Sequence, residues 1–137
     1  MDKNTIAREW LTRFEDCVRG CDFSKARGLF SAAVVGYGSL VGRMTGLDAL
    51  EGEQWRQVWP NIRQFTFQLG DLRVHGSEEM DLLALAVSWN SVGINQAQGP
   101  FERPGRCTLL LKREEDGAWL CAHSHFSLMP GVPQTFQ

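Results

Sequence analysis

Histidine, cysteine and tyrosine are scarce in this chain, whose 137 residues include three, four and one of them. There is no Cys-x-x-Cys pair, and no histidine stands at helical spacing from a carboxylate in a ligand pattern, so no metal or other cofactor is expected. Disulfides are not expected. Cys17 and Cys21 lie four apart, Cys107 and Cys121 sit off-register across a hairpin, and bridging either pair would strain the backbone. Four free thiols suit a reducing compartment. An excess of one charge is also missing, since 14 basic and 16 acidic residues, spread along the chain, leave a net charge of -2. Neither nucleic acid nor an anionic membrane surface finds an electrostatic footprint here. Long apolar runs are absent too: Met1 is followed by Asp2, Lys3 and an amphipathic stretch, so no signal region or membrane span is expected and the cytoplasm is the expected location. With no linker, repeat or low-complexity segment, residues 1–137 are expected to form one domain, large enough for a core without staples.

Against these absences stand five tryptophans and eight phenylalanines. Ile6, Trp10, Leu11, Phe14, Cys17, Val18 and Cys21 recur at three- and four-residue spacing, which predicts a helix over residues 5–20 capped by Asn4 or Thr5 and stopped at Gly20. A short helix over 23–30 follows, then a strand over 32–37. Leu47, Leu50, Trp55, Val58, Trp59 and Ile62 predict a third helix over 46–62, which Gly52 weakens and Pro60-Asn61 ends. The period then drops to two. Phe65, Phe67 and Leu69 alternate with polar residues, a bulge is expected at Gly70-Asp71, and Leu82 to Val92 reads as a long strand. Residues 95–105 read as a loop.

The chain closes on a hairpin, where strand-forming runs flank an Asp116-Gly117 turn. Strict alternation would place Cys107, Leu109, Leu111, Leu120, Ala122, Ser124 and Phe126 on a core face. Arg106, Thr108, Lys112, Trp119, Cys121, His123 and His125 would share the other. Helices first and hairpin-connected strands afterwards predict an α+β domain, three N-terminal helices packed on one face of an antiparallel sheet.

This order of elements, with Gly46-Leu47-Asp48-Ala49-Leu50, the Asp-Gly-Ala-Trp turn and His123-Ser124-His125-Phe126-Ser127, resembles the nuclear transport factor 2-like superfamily. Within it the SnoaL-like branch and the association (hub) domain of calcium/calmodulin-dependent protein kinase II are the nearest in pattern. The resemblance implies a cystatin-like cone: a strongly curved sheet wrapped round a long helix, a pocket at the open end, and a homodimer through the convex face. It does not choose a reaction, because members include isomerases, dehydratases, cyclases and plain binders. The ketosteroid isomerases of the superfamily use a tyrosine and a protonated acid as oxyanion donors and a carboxylate as base. Aligned by eye, those positions hold Phe14, Leu109 and Gly38. None supplies the chemistry. Two basic positions of the kinase-hub pocket fall on Val87 and Leu109, so the expected pocket is apolar.

Two readings then stand side by side. Phe14, Tyr37, Trp55, Trp59, Val87, Trp89, Leu109, Ser124 and Phe126 could line a pocket for a flat apolar or aromatic small molecule, or the apolar ones among them could simply fill the core. Tyr37 is either a hydrogen-bond donor at the pocket mouth or a rim residue with its hydroxyl in water. Trp119, Cys121, His123 and His125 form a mixed aromatic-polar patch of the composition interfaces favour, and are assigned to a homodimer contact. A small-molecule-binding domain is the first functional reading. A SnoaL-like isomerase, cyclase or dehydratase acting on a polycyclic or aromatic substrate is the alternative.

Overall fold

The computed structural model describes residues 1–137. Helix α1 (Lys3–Gly20) buries Trp10, Leu11, Phe14, Cys17 and Val18 of the expected stripe, with Ala7 beside them, while Ile6 and Cys21 are half-buried. Its cap is neither Asn4 nor Thr5: Asp2 accepts a hydrogen bond from the Thr5 amide at 2.8 Å, three residues along as the N-cap geometry requires. The helix ends on Cys21, which takes the left-handed conformation at φ 49°. Helix α2 (Phe23–Arg27) is shorter than expected, because β1 (Phe30–Tyr37) begins early.

The third helical segment, residues 47–61, changes pitch along its length. It opens α-helical at Leu47–Ala49, widens to a π-helix at Leu50–Trp55, returns to α over Arg56–Val58 and tightens to a 3₁₀ turn at Trp59–Asn61. The widened turn contains Gly52, the residue that weakened the α-helical pattern. Along it Leu50, Gln54 and Trp55 face inward.

Eight strands make one curved, unclosed sheet in the order β2-β1-β8-β7-β5-β3. They are β1, β2 (Met44–Thr45), β3 (Ile62–Phe67), β4 (Arg73–Gly76), β5 (Leu82–Asn95), β6 (Gly99–Glu102), β7 (Gly105–Arg113) and β8 (Trp119–Leu128). Strands β4 and β6 add to β5, near its start and at its end. The expected bulge at Gly70-Asp71 is a 3₁₀ turn, Leu69–Asp71, that separates β3 from β4. Two further departures matter for the site. The sheet is not wholly antiparallel, since β1 runs parallel to β8, with Val35 opposite His123 and Tyr37 opposite His125. The expected loop over 95–105 contains β6, because the Asn95 side chain accepts from the Ala97 and Gln98 amides at 2.8 and 2.9 Å and Gly99 takes φ 83°. An Asx turn closes that hairpin.

The hairpin β7–β8 is not in simple register. Leu110 pairs with His123 but Leu111 pairs with Cys121, so Ala122 is an extra residue bulged out of the ladder. One inserted residue exchanges faces for everything beyond it. His123 and His125 stay on the convex face, opposite Leu110 and Thr108, whereas Cys121 turns inward and is 0% exposed. Trp119 turns the same way and borders a surface groove shared with Ile6, Glu9, Trp10 and Arg13 of α1. The assignment of Trp119 and Cys121 to a convex-face contact is therefore corrected; the bulge carries both to the helix side.

One continuous hydrophobic cluster joins α1, the third helical segment and the inner face of the sheet. All four cysteines are unpaired. No helix is long and apolar enough to cross a membrane.

Candidate functional site

The cone is closed on its helix side by α1 and by residues 47–61, and the apolar part of its wall is mostly aromatic. Trp55 and Trp59, one turn apart, stack at 4.9 Å and 17°. Phe14 of α1 meets the edge of Trp59 at 5.6 Å and lies 6.2 Å from Trp55. From the sheet, Phe126 approaches Phe14 at 6.1 Å and Trp89 at 6.3 Å, while Phe65 packs on Trp89 at 5.5 Å. These contacts hold the rings in offset and edge arrangements, which their quadrupoles favour.

Between them lies a cavity bordered by Phe14, Tyr37, Trp55, Trp59, Trp89, Ser124 and Phe126, seven of the nine residues expected to bind a ligand. The other two are elsewhere. Val87 and Leu109 are buried in the sheet's inner layer and border no part of this space; Leu109 lies opposite Leu85 on one side and Ser124 on the other. Tyr37 reaches only the rim. On β1 its neighbour Gly36 faces inward, so the Tyr37 ring turns outward and packs edge-on against His123 and His125 at 5.3 and 5.1 Å. The space open to water is about 40 Å³, room for about three water molecules.

The aromatic wall has a polar end that the sequence reading missed. Ser39, Gln54 and Arg103 all border the cavity. Gln54 Nε2 and Arg103 Nη2 each donate to Ser39 Oγ at 2.9 Å, and the Leu40 amide donates to Gln54 Oε1 at 3.4 Å. Gln54 is inward on the face it shares with Leu50 and Val58, and Gly38 makes room for it: a Cβ at residue 38 would collide with the Gln54 amide. The position that aligned with a catalytic base is thus filled by a neutral amide from another element. Arg103 is only 2% exposed and is fixed at both backbone ends, its amide donating to Ser91 O at 2.9 Å and its carbonyl accepting from Ser91 Oγ at 2.7 Å. The guanidinium carbon lies 5.8 Å from the Trp89 ring and 4.9 Å from that of Phe136 in the C-terminal tail. Burial pulls its pKa down to about 10, which leaves it charged at neutral pH. Only the β5–β6 hairpin brings Arg103 here, and that hairpin read as a loop; the Asn95 and Gly99 turn residues were the available signal.

Two more polar groups complete this end. Ser124 is buried against Gly36, and its hydroxyl has no protein partner among the hydrogen bonds. Trp89 Nε1 is sealed from water and unpaired. The cavity offers hydrogen-bond donors and an aromatic wall, but no carboxylate, imidazole or thiol. Nor does any group of three or more His, Cys, Asp and Glu side chains in the molecule cluster to hold a metal ion.

A curved sheet wrapped on a long helix is the cystatin-like α+β fold, shared with two solved structures of that fold, from Caulobacter vibrioides and Nostoc punctiforme. Within that class the chain belongs to the SnoaL-like domain family, which matches residues 7–131. No curated protein matches the chain. Among solved structures, a ketosteroid isomerase-like protein from Erwinia carotovora atroseptica superposes with a TM-score of 0.79 at 14% identity, covering 96% of this chain and 98% of that one. A nuclear transport factor 2-like superfamily protein from Salmonella enterica serovar Typhimurium gives 0.77 at 15% identity, over 96% and 97%. The association domain of C. elegans CaMKII gives 0.68 at 18% identity, over 91% and 94%. At these identities the likeness is one of fold.

Proposed function

We propose that this chain, a single SnoaL-like domain over residues 1–137, binds a small flat molecule in its aromatic cone. The observation that carries this reading is the cavity itself: stacked and edge-on rings form one wall while buried polar groups, including the unpaired Ser124 hydroxyl and Trp89 Nε1, gather at the other. Trp89 Nε1 is sealed without a partner, which a core designed only for stability would avoid, and the Ser124 hydroxyl borders the cavity without a protein partner. Apolar walls with a few fixed polar anchors are the usual make-up of a ligand site. At about 40 Å³ the resting space is below the roughly 150 Å³ that takes a benzene ring, so the occupant in this proposal is no larger than a single ring and enters only as the rim and tail part.

The enzymatic alternative has little to work with. No carboxylate, imidazole or thiol borders the cavity, and of the groups that carry protons in catalysis only the phenol of Tyr37 does, on a ring that packs outward against His123 and His125.

The domain acts as a homodimer in this proposal, through the convex face that carries Tyr37, His123 and His125. A structural neighbour is an association domain, and the tyrosine-histidine patch has the aromatic-polar composition of an interface. The cytoplasm remains the proposed location, suited to free thiols.

Tryptophan fluorescence and melting temperature, followed together against a panel of single-ring compounds, test the binding reading. Anything that binds only the native state raises its melting temperature, and a ring stacked on Trp55 or Trp89 changes their emission. If no compound produces both signals, the cone is a filled core and the reading is wrong.

A further inference from the structure

Resting on the reading that the cone binds a small molecule, we infer that its ligand is an aromatic carboxylate, the acid group held by Arg103 and the ring laid against the Phe14, Trp55 and Trp59 wall. The inference starts from a charge with no partner. The ion pairs of the molecule are Arg27 with Asp48 and Glu51, and Arg56 with Glu51, all on the outer side of the helices. Arg103 is the buried cation, and no carboxylate stands within ion-pair distance of it. A buried guanidinium cannot escape the cost by deprotonating at neutral pH, so an uncompensated one is destabilising unless something anionic joins it.

Its donors are mostly unused. Of the five N–H groups of a guanidinium, one is engaged by Ser39 Oγ. Trp89 Nε1 is the buried side-chain atom that is both sealed and unpaired, so the remaining Arg103 donors touch space that water can enter. Ser39 Oγ already accepts from Gln54 and Arg103, which leaves its hydroxyl proton to give away, and Ser124 adds a second free hydroxyl. Gln54 turns its donor to Ser39 and its acceptor to Leu40, so it does not neutralise the guanidinium. Donors converge at this end, and no anionic acceptor borders it. That is complementary to a carboxylate, whose two oxygens match the planar guanidinium fork.

Arg103 is also held in advance. The reciprocal Ser91 hydrogen bonds fix its backbone, and the Trp89 and Phe136 rings flank the guanidinium at 5.8 and 4.9 Å. A preorganised cation loses little freedom on binding. The two rings also supply the rival explanation, in which cation–π contact alone supports a purely structural arginine.

Titration calorimetry of the full chain with benzoate, benzamide, benzyl alcohol and inorganic phosphate separates the possibilities. Benzoate is expected to bind roughly 10- to 100-fold more tightly than benzamide, the range for a hydrogen-bonded charge. Arg103→Gln is expected to remove that preference while leaving benzamide binding in place, and Arg103→Lys to keep part of it. Equal binding of benzoate and benzamide by the unmodified protein overturns the anion assignment and leaves the cone reading intact. Phosphate binding as tightly as benzoate overturns the aromatic part, since the site would then be one for inorganic anions. If none of the four binds, both this inference and the reading beneath it fail. The comparison in the unmodified protein decides the matter even if the Arg103 variants do not fold.

Discussion

Leu109→Ala measures where the core ends and the cavity begins. The Leu109 side chain is 0% exposed, between Leu85 of β5 and Ser124 of β8 on the sheet's inner face. Truncation removes three carbon groups at about 0.8 kcal/mol each, or about 2.4 kcal/mol of lost burial. The space left behind adds a second cost, because strands paired on both sides cannot close over it, and comparable leucine truncations total about 3–5 kcal/mol. For a chain of this size that corresponds to a fall in melting temperature of roughly 10–15 °C. The assay is urea and thermal unfolding followed by near-ultraviolet circular dichroism at one fixed protein concentration, so that association does not enter the comparison. Leu109→Trp complements it: in a close-packed layer the larger ring costs about 1–3 kcal/mol or more. A loss below about 1 kcal/mol for Leu109→Ala, coupled with a tolerated Leu109→Trp, would place Leu109 on the cavity wall and refute the division between core and cavity drawn here.

Three other outcomes are expected. Charge reversal at the convex patch, Tyr37→Glu with His125→Glu, should shift the sedimentation coefficient from dimer to monomer while Trp119→Glu leaves association unchanged; dissociation by the Trp119 variant alone would put the interface on the helix side. Glu51 is held below the usual carboxylate range by hydrogen bonds from Arg27 and then Arg56, so the stability it contributes is present above the unfolded value near pH 4.3 and is lost as pH falls through the lower folded value; Glu51→Gln should flatten that acid limb in a pH series of melting temperatures. Cys17, Cys107 and Cys121 are buried, and burial raises all three thiol pKa values, that of Cys121 to about 12; a thiol-specific reagent should therefore modify Cys21 first in the native protein, and fast reaction of two or more cysteines would contradict the packing.

The parts of this fold legible in the sequence were those set by local periodicity. The α1 stripe from Ala7 to Val18, the alternation of β5 and the Asp116-Gly117 turn each follow from side-chain spacing within one element. The aromatic wall was legible for a related reason: Phe14, Trp55, Trp59, Trp89 and Phe126 are large rings at inward positions, and one curved sheet gathers them. What escaped was set by single-residue changes of phase. The bulge at Ala122 moved Trp119 and Cys121 across the sheet, and no rule of alternation marks an extra alanine. Gln54 escaped differently: four residues from both Leu50 and Val58, it shares their inward face at ordinary helical spacing, but a polar residue there was not counted with the apolar stripe. Arg103 escaped because its environment is assembled from β1's end, the third helical segment, β5 and the C-terminal tail, partners 12 to 64 residues away in the chain. A charged residue between Phe101 and Pro104 reads as solvent-exposed until the fold closes over it.

The parallel pairing of β1 with β8 makes the order of synthesis consequential. Phe30 must wait for Cys121, and Tyr37 for His125, so as the chain emerges the first strand has its partner only when nearly all of the sequence has been made. Until then β1 and β7 each show an open edge, a state that exposes unpaired backbone to neighbouring chains. Ser124 and Phe126 arrive on that same last strand. The cavity is thus a product of completion: a truncated or stalled chain presents helices and most of the sheet, yet has nothing with which to close the wall of its binding site.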